Sequence, residues 1–405
     1  MKKIAIIGTA GIPARYGGFE TLVHHLVQEW KGKYETTVYC SKSYYQAGER
    51  PKEWNGAKLV YLPFNANGAQ SIIYDIVSML HAIFYADVLL ILGVSGGLFI
   101  PFIKFFTNKK IIVNIDGLEW RRQKWGKWIQ KFLKISEALA VRFSDADITD
   151  NAALKRYTAI NYKTLSYLVA YGADHVKPRL PIANDFLKYP FLKSAYTFKV
   201  CRIEPENNVH VILESFAKMP DQPLVVVGNW ENSEYGVALK TQYKLNTNIT
   251  LLNSIYEQEE LDLLRSNCTL YIHGHSAGGT NPSLVEAMYL GLPIIAFDVI
   301  YNRCTMKDKG LYFKDSEDLK SIINGLTDNE LTRLSSEMTL LATEFYTWEV
   351  IASKYDLLIK SLFYNYHKTR VESTISRMSV HTLKRLNLLH LKHTIKFYQK
   401  PYSHE

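Results

Sequence analysis

The chain has 405 residues, 47% hydrophobic and 21% charged, and its 48 Lys and Arg against 39 Asp and Glu leave a formal charge of +9. These proportions exclude a disordered or fibrous chain and predict a globular protein of two domains. The four cysteines, Cys40, Cys201, Cys268 and Cys304, form no C-x-x-C pair, which argues against a disulfide framework or a zinc site and fits a reducing cytoplasm.

The opening MKKIAIIGTAGIPA starts like a signal peptide, but its apolar run stops at Gly8. That is short of the roughly 7–15 apolar residues such signals carry, so a buried first strand is expected. GTAGIPARYGGFET, Gly8 to Thr21, then leads into a helix with apolar positions Leu22, Val23, Leu26 and Val27. It is not a G-x-G-x-x-G fingerprint, and no acidic residue is placed to hold a dinucleotide ribose. Gly17 and Gly18 beside the helix start, with Arg15 nearby, predict amides that approach a phosphate or sugar oxygen; an ordinary strand-to-helix turn is the alternative.

Further strands are predicted at TTVYC, KLVYLP, DVLLIL, KIIVNI and DADITD, with helical patterns between most of them. The apolar stretch Val88 to Ile103 is split by GVSGG and too short to span a bilayer, so no transmembrane helix is expected. After KIIVNI, Asp116 and Glu119 stand at a strand end, where side chains face a ligand crevice. The next helix carries an apolar stripe at Trp128, Ile129, Phe132, Ile135 and Leu139. Arg121, Arg122, Lys124, Lys127, Lys131 and Lys134 surround it, with no acid until Glu137. This pattern fits a core-facing helix with a solvated basic back, or a surface for anionic lipid or a lipid-pyrophosphate acceptor. Asp145 and Asp147 form a D-x-D, read as coincidence. With no metal-ligand spacing among the twelve His, no metal is expected.

Pro178, Pro181 and Pro190 interrupt the alternation and mark a linker, giving expected domains at residues 1–185 and 192–365. Strands resume at YTFKV, PLVVVG, NITLL, TLYIH and PIIAF, and a helix near Thr347 to Leu362 closes the second domain. The expected architecture is α/β, two doubly wound parallel-sheet domains of Rossmann-like type whose strand ends face one cleft. Arg202 follows the YTFKV strand, where its fork can hold a pyrophosphate; pairing with Glu204 or Glu206 is the alternative. After TLYIH comes HSAGGTNPSLVEAM, His275 to Met288. Its Gly279, Thr280, Asn281 and Ser283 lead into a helix start whose amides form an anion or hydroxyl cradle. Glu286, one turn in, suits two ribose hydroxyls, or serves only as a dipole-compensating residue.

Taken in order, the strand–Arg loop, the Gly-rich loop with Glu entering a helix, and GLPIIAFD resemble the GT-B glycosyltransferases of the retaining family 4. The spellings IGTAGIPARYGGFETLV, NIDGLEWRRQKW, CRIEPENNV and GGTNPSLVEAM resemble a bacterial rhamnosyltransferase subfamily that builds capsule or O-antigen repeats, over about residues 1–365. The resemblance implies transfer of L-rhamnose from dTDP-L-rhamnose to a lipid-pyrophosphate-linked saccharide at the cytoplasmic membrane surface, without a cofactor. It assigns Arg202 to the diphosphate, Glu286 to the ribose and Gly17–Gly18 to the family's glycine loop. Two positions depart from the family: Gly278 stands where its first Glu would be, and no Lys stands near Asn207. A GT-B nucleotide-sugar epimerase and a non-catalytic sugar-nucleotide sensor are the alternatives, while a dinucleotide oxidoreductase is disfavoured by the missing fingerprint.

The tail from Tyr366 to Glu405 holds eight Lys or Arg against two Glu. A basic, loosely amphipathic tail predicts peripheral attachment to an anionic membrane, or a helix packed on its own domain, and not nucleic-acid binding.

Overall fold

The computed structural model describes residues 1–15, 17–115, 117–121, 125–364, 366–369 and 379–385. The chain forms two compact units, residues 1–169 with 352–405, and residues 170–351.

The first unit is built on β1 (Lys3–Ile7), β2 (Glu35–Ser41), β3 (Glu53–Trp54), β4 (Ala57–Leu62), β5 (Val88–Leu92), β6 (Lys110–Asn114), β7 (Ala146–Thr149) and β8 (Tyr167–Leu168). They lie in the order β3-β4-β2-β1-β5-β6-β7-β8. All neighbours are parallel except β3, which turns back antiparallel on β4. VLLIL of β5 is buried along its whole length, as a central parallel strand covered on both faces must be. The helix Gly18–Glu29 buries Leu22, Val23, Leu26 and Val27, the positions its apolar period marks.

The second unit holds β9 (Thr197–Val200), β10 (Leu224–Val227), β11 (Ile249–Leu252), β12 (Leu270–His273), β13 (Ile294–Phe297) and β14 (Leu311–Phe313). All are parallel, in the order β11-β10-β9-β12-β13-β14. Its core gathers Ile212, Leu213 and Phe216 from the helix Val209–Ala217 against Val226, Ile272 and Phe313 of the sheet. In each unit the winding reverses at a switch point, β1 beside β5 and β9 beside β12, where the loops part to leave a crevice.

Three strands, β3, β8 and β14, have no counterpart in the sequence reading; at two or three residues each they are too short to show a period. The proline segment differs from the linker expected there. Lys177 and Arg179 donate their amides to Asp262 Oδ2 and Ser266 Oγ at 3.0 and 3.1 Å, and a helix forms over Ala183–Lys188. This stretch is part of the second unit, and the division falls before it, after Val169.

The chain re-enters the first unit within the helix Trp348–Ser361. Asn114 Nδ2 donates to Tyr355 Oη at 3.1 Å and Tyr34 Oη donates to the Asp356 carboxylate. Beyond the helix, Leu165 N donates to Thr369 O at 3.0 Å, and Lys368 pairs with buried Asp147 at 2.6 Å. So the start of the basic tail is fixed to the first unit; residues 370–378 and 386–405 lie outside the described residues. Among the described residues no helix is long and apolar enough to cross a membrane.

Candidate active site

At the switch point of the second unit, loop 201–208 leaves β9 and loop 274–281 leaves β12. The two are stitched together. Ser276 donates both its amide and its hydroxyl to Glu206 O, at 2.8 and 2.9 Å, and Asn208 Nδ2 donates to Gly274 O at 2.9 Å. Asn207 Nδ2 donates to Arg202 O at 2.9 Å, so its Oδ1 must accept; His275 Nδ1, at 2.9 Å, is therefore the protonated ring nitrogen. Gly274 allows the close approach, because a Cβ there would lie 2.2 Å from Asn207 O. Asn207 is buried and spends its amide on this junction.

Arg202 is exposed at the carboxyl end of β9. Among the described residues it forms no ion pair, with neither Glu204 nor Glu206, and so stands open to an anion. Behind the loop lies a second cation that sequence reasoning missed. Lys199 is buried on β9, with Nζ 3.1 Å from the point a Gly274 Cβ would occupy. Burial pushes its ammonium below the ordinary lysine value, opposed by Cys201. Burial, Lys199 and His275 together push the ring of His273 well below the usual histidine value.

The side chains at the start of the helix Pro282–Tyr289 are occupied in building it. Asn281 Oδ1 accepts from Ser283 N at 3.0 Å and Ser283 Oγ at 2.8 Å, a side-chain cap with proline in the first helical position. Thr280 is buried, its hydroxyl 3.5 Å from that of Thr305. What this loop leaves open is backbone: among the described residues the amides of Gly278 and Gly279 make no hydrogen bond. Gly278 has φ +87°, a left-handed conformation that disfavours any side chain, so the absence of a Glu there is built into the backbone.

Glu286 is held from two sides. Arg265, from the helix Gln258–Ser266, is 0% exposed and donates Nη1 to Glu286 Oε2, while Asp262 stands 3.7 Å from its Nη2. On the other side His175 Nε2 lies 3.4 Å from Glu286 Oε1. Trp348 Nε1 can only donate, and it donates to His175 Nδ1 at 3.1 Å, so the histidine proton sits on Nε2 and points at the carboxylate. Burial pushes the Glu286 carboxyl up, but Arg265 and His175 outweigh it and hold it down at about 2. Glu286 is thus a fixed, permanently charged carboxylate one turn inside a helix start. Neither Arg265 nor His175 was legible, since both reach Glu286 across long sequence separations.

In the first unit the glycine loop differs from an open anion cradle. The Glu20 carboxylate accepts from Ala10 N at 2.7 Å and Thr9 Oγ1 at 3.1 Å, and a Cβ on Gly17 would fall 1.9 Å from its other oxygen. The side of the loop against Gly17 is thus met by the chain's own acid, and Arg15 pairs with Glu49. Across the switch point Asp75 is buried and accepts from Gly96 N at 3.1 Å; burial lifts its carboxyl to about 8, moderated by that bond. Glu119 accepts from Trp125 Nε1 at 3.0 Å, and Trp120 lies under Lys134 Nζ, 4.6 Å from the ring centre. Asp116 lies outside the described residues. The D-x-D is structural: Asp145 pairs with Lys104 at 2.6 Å, and Asp147 with Lys368. Among the described residues no group of three or more potential ligands is placed to hold a metal.

Residues 1–174 match the model of a domain of unknown function, DUF1972, and residues 184–338 match that of glycosyl transferases group 1. Sucrose-phosphate synthase from Thermosynechococcus elongatus superposes with a TM-score of 0.75 at 16% identity, over 90% of this chain and 100% of that one. Anabaena HepE in complex with UDP-glucose gives 0.68 at 15%, over 89% and 100%. A glycosyltransferase from Rickettsia africae gives 0.66 at 12%, over 90% and 99%. Residues 184–338 are thus a group 1 glycosyl transferase domain, in a chain with the GT-B fold of two parallel-sheet units.

Proposed function

We propose that the protein transfers L-rhamnose from dTDP-L-rhamnose to a lipid-linked saccharide during capsule or O-antigen polysaccharide synthesis, at the inner face of the cell membrane. The coarser part, sugar transfer, follows from the domain; a nucleotide-sugar donor is supported by HepE, solved with UDP-glucose. The observation that carries the reading is Glu286, held charged by Arg265 and His175 beside a glycine loop with open amides. A carboxylate held charged in this way, at the end of a loop with open amides, offers an acceptor to two vicinal hydroxyls of a ribose.

In this reading Arg202 and the amides of Gly278 and Gly279 take the diphosphate, whose negative charge grows as the sugar–oxygen bond breaks. Donors fixed in place before the reaction stabilise that charge without reorganising. The sugar is held by backbone at Gly279–Asn281 in place of the missing Glu. Asp116 and Glu119 remain the candidates that orient the acceptor hydroxyl, and the glycine loop at Gly17–Gly18 contributes through backbone only. The test is a thermal-shift panel of nucleotide sugars, in which a donor at 100 times its dissociation constant adds roughly 2.7 kcal/mol. dTDP-rhamnose should give the largest shift, and no shift with any dTDP-sugar would overturn the donor. Incubation with donor alone should leave it intact; conversion without acceptor would make the protein an epimerase.

A further inference from the structure

The helix Lys127–Phe143 has two apolar stripes where a surface helix has one. Leu133, Ala140 and Val141 are buried. Away from them Trp128 and Ile135, exposed, and Phe132 and Leu139, half-buried, follow one another at helical spacing, and the exposed Lys127, Lys131 and Lys134 run beside them. Trp128 is 83% exposed, and Ile129 and Ile135 are also exposed. The solvated back of a helix should be polar, so this outward stripe is unexplained by the fold. The neighbouring helix Ile100–Phe106 packs against it and presents Phe102, Phe105 and Phe106, their rings in contact with centres 4.5–5.0 Å apart, with Phe105 84% exposed. Neither helix carries an exposed acid: Glu137 is buried, and Asp145, just beyond, is paired with Lys104.

We infer that this two-helix face is the surface by which the protein lies on an anionic phospholipid bilayer. Aromatic and aliphatic side chains enter the headgroup–acyl boundary while the lysines beside them meet lipid phosphates. Charge decides among occupants. The tail of this chain adds Lys392, Lys396 and Lys400 against Glu405, and a second copy would bring the same lysines, so either would meet like charge. Nucleic acid would use the lysines but leave Phe105, Trp128 and Ile135 in water. The inference rests on the membrane-side acceptor proposed above for its purpose and names the surface that reading leaves open.

The experiment is sedimentation of the full-length protein with phosphatidylglycerol–phosphatidylcholine vesicles, with pure phosphatidylcholine as control. Trp128→Ala with Phe105→Ala should lower the partition coefficient about ten-fold or more, since large apolar side chains leave the interface. Lys127→Gln with Lys131→Gln should lower it roughly five-fold per charge and flatten its salt dependence, and the Arg versions should restore it. Tail substitutions Lys392→Gln, Lys396→Gln and Lys400→Gln should leave it largely intact. All variants should keep the wild-type circular dichroism spectrum, because the altered side chains are exposed. If the face variants sediment like wild type, or only the tail variant loses binding, the assignment to this face is wrong while membrane attachment stands. If wild type binds no anionic vesicle, attachment itself fails, whereas transfer to a soluble acceptor analogue would still test the sugar chemistry separately.

Discussion

Replacing Arg265 with Met should destabilise the protein by about 3–5 kcal/mol at neutral pH, because it strands a buried carboxylate. The magnitude follows from the site. The Glu286 side chain is 14% exposed and its carboxyl is held at about 2 against an ordinary 4.5. That displacement corresponds to roughly 3 kcal/mol of preference for the charged form. In the wild type the folded value lies below the unfolded one, so this stabilisation is present above 4.5 and lost as pH falls towards 2. In Arg265→Met burial acts with less opposition and raises the carboxyl, so the sign reverses: the penalty is full at neutral pH and fades on acidification. Urea unfolding at neutral pH and at about pH 5 measures both effects. Adding Glu286→Leu should recover most of the loss, since an apolar pair of similar volume replaces the ions. A loss below about 1 kcal/mol, or a double variant no better than the single, would refute the argument that Arg265 compensates Glu286.

Arg202→Ala should lower turnover about ten- to a hundredfold with the circular dichroism spectrum unchanged; wild-type turnover at saturating substrates would remove Arg202 from the diphosphate site. Glu286→Gln should weaken competition by free dTDP about ten-fold or more, and unchanged competition would make Glu286 structural. Asp75→Asn should raise stability at neutral pH by up to roughly 4 kcal/mol. Its carboxyl is held protonated up to about 8 in the fold against 3.8 ordinarily, so folding takes up a proton between those values and stability falls as pH rises through them. The slope of melting temperature against pH in that window should flatten, and an unchanged slope counts against the burial argument. Gly278→Ala should cost about 1–2 kcal/mol through its left-handed backbone, read from the denaturation midpoint.

Most of the sheet framework was readable because parallel strands buried on both faces, such as VLLIL, appear as short unbroken apolar runs between helical patterns. Arg202 and Glu286 were readable as positions, since a loop at a strand's carboxyl end and the turn after a helix start are local features. What surrounds them was not. Arg265 lies in QEELDLLRS, whose charged letters suggest a solvated helix, yet its guanidinium is fully buried against an acid from another element. His175 acts through a proton position fixed by Trp348, far along the chain. The surroundings of the glycine loop were hidden for a related reason. A glycine pair is visible in a sequence, but Glu20 folding back to the Ala10 amide, beside Gly17, is a matter of side-chain direction. The outward stripe on Lys127–Phe143 was legible as a pattern, while its burial or exposure depended on which face the sheet claimed.

Because the first unit is completed by residues from 352 onward, it is drawn from two separate stretches of the chain with the whole second unit between. At about 5–20 residues per second, synthesis of that intervening segment takes roughly 10–40 s. For that interval the nascent first sheet lacks Tyr355 over Asn114, Asp356 beside Tyr34, and Lys368 against the buried carboxylate of Asp147. The second unit, contiguous in sequence, is free to finish first, so the order of emergence and the order of folding are reversed. A ribosome stalled within the helix Trp348–Ser361 would leave the earlier-made half incomplete, with Asp147 lacking Lys368 in its core.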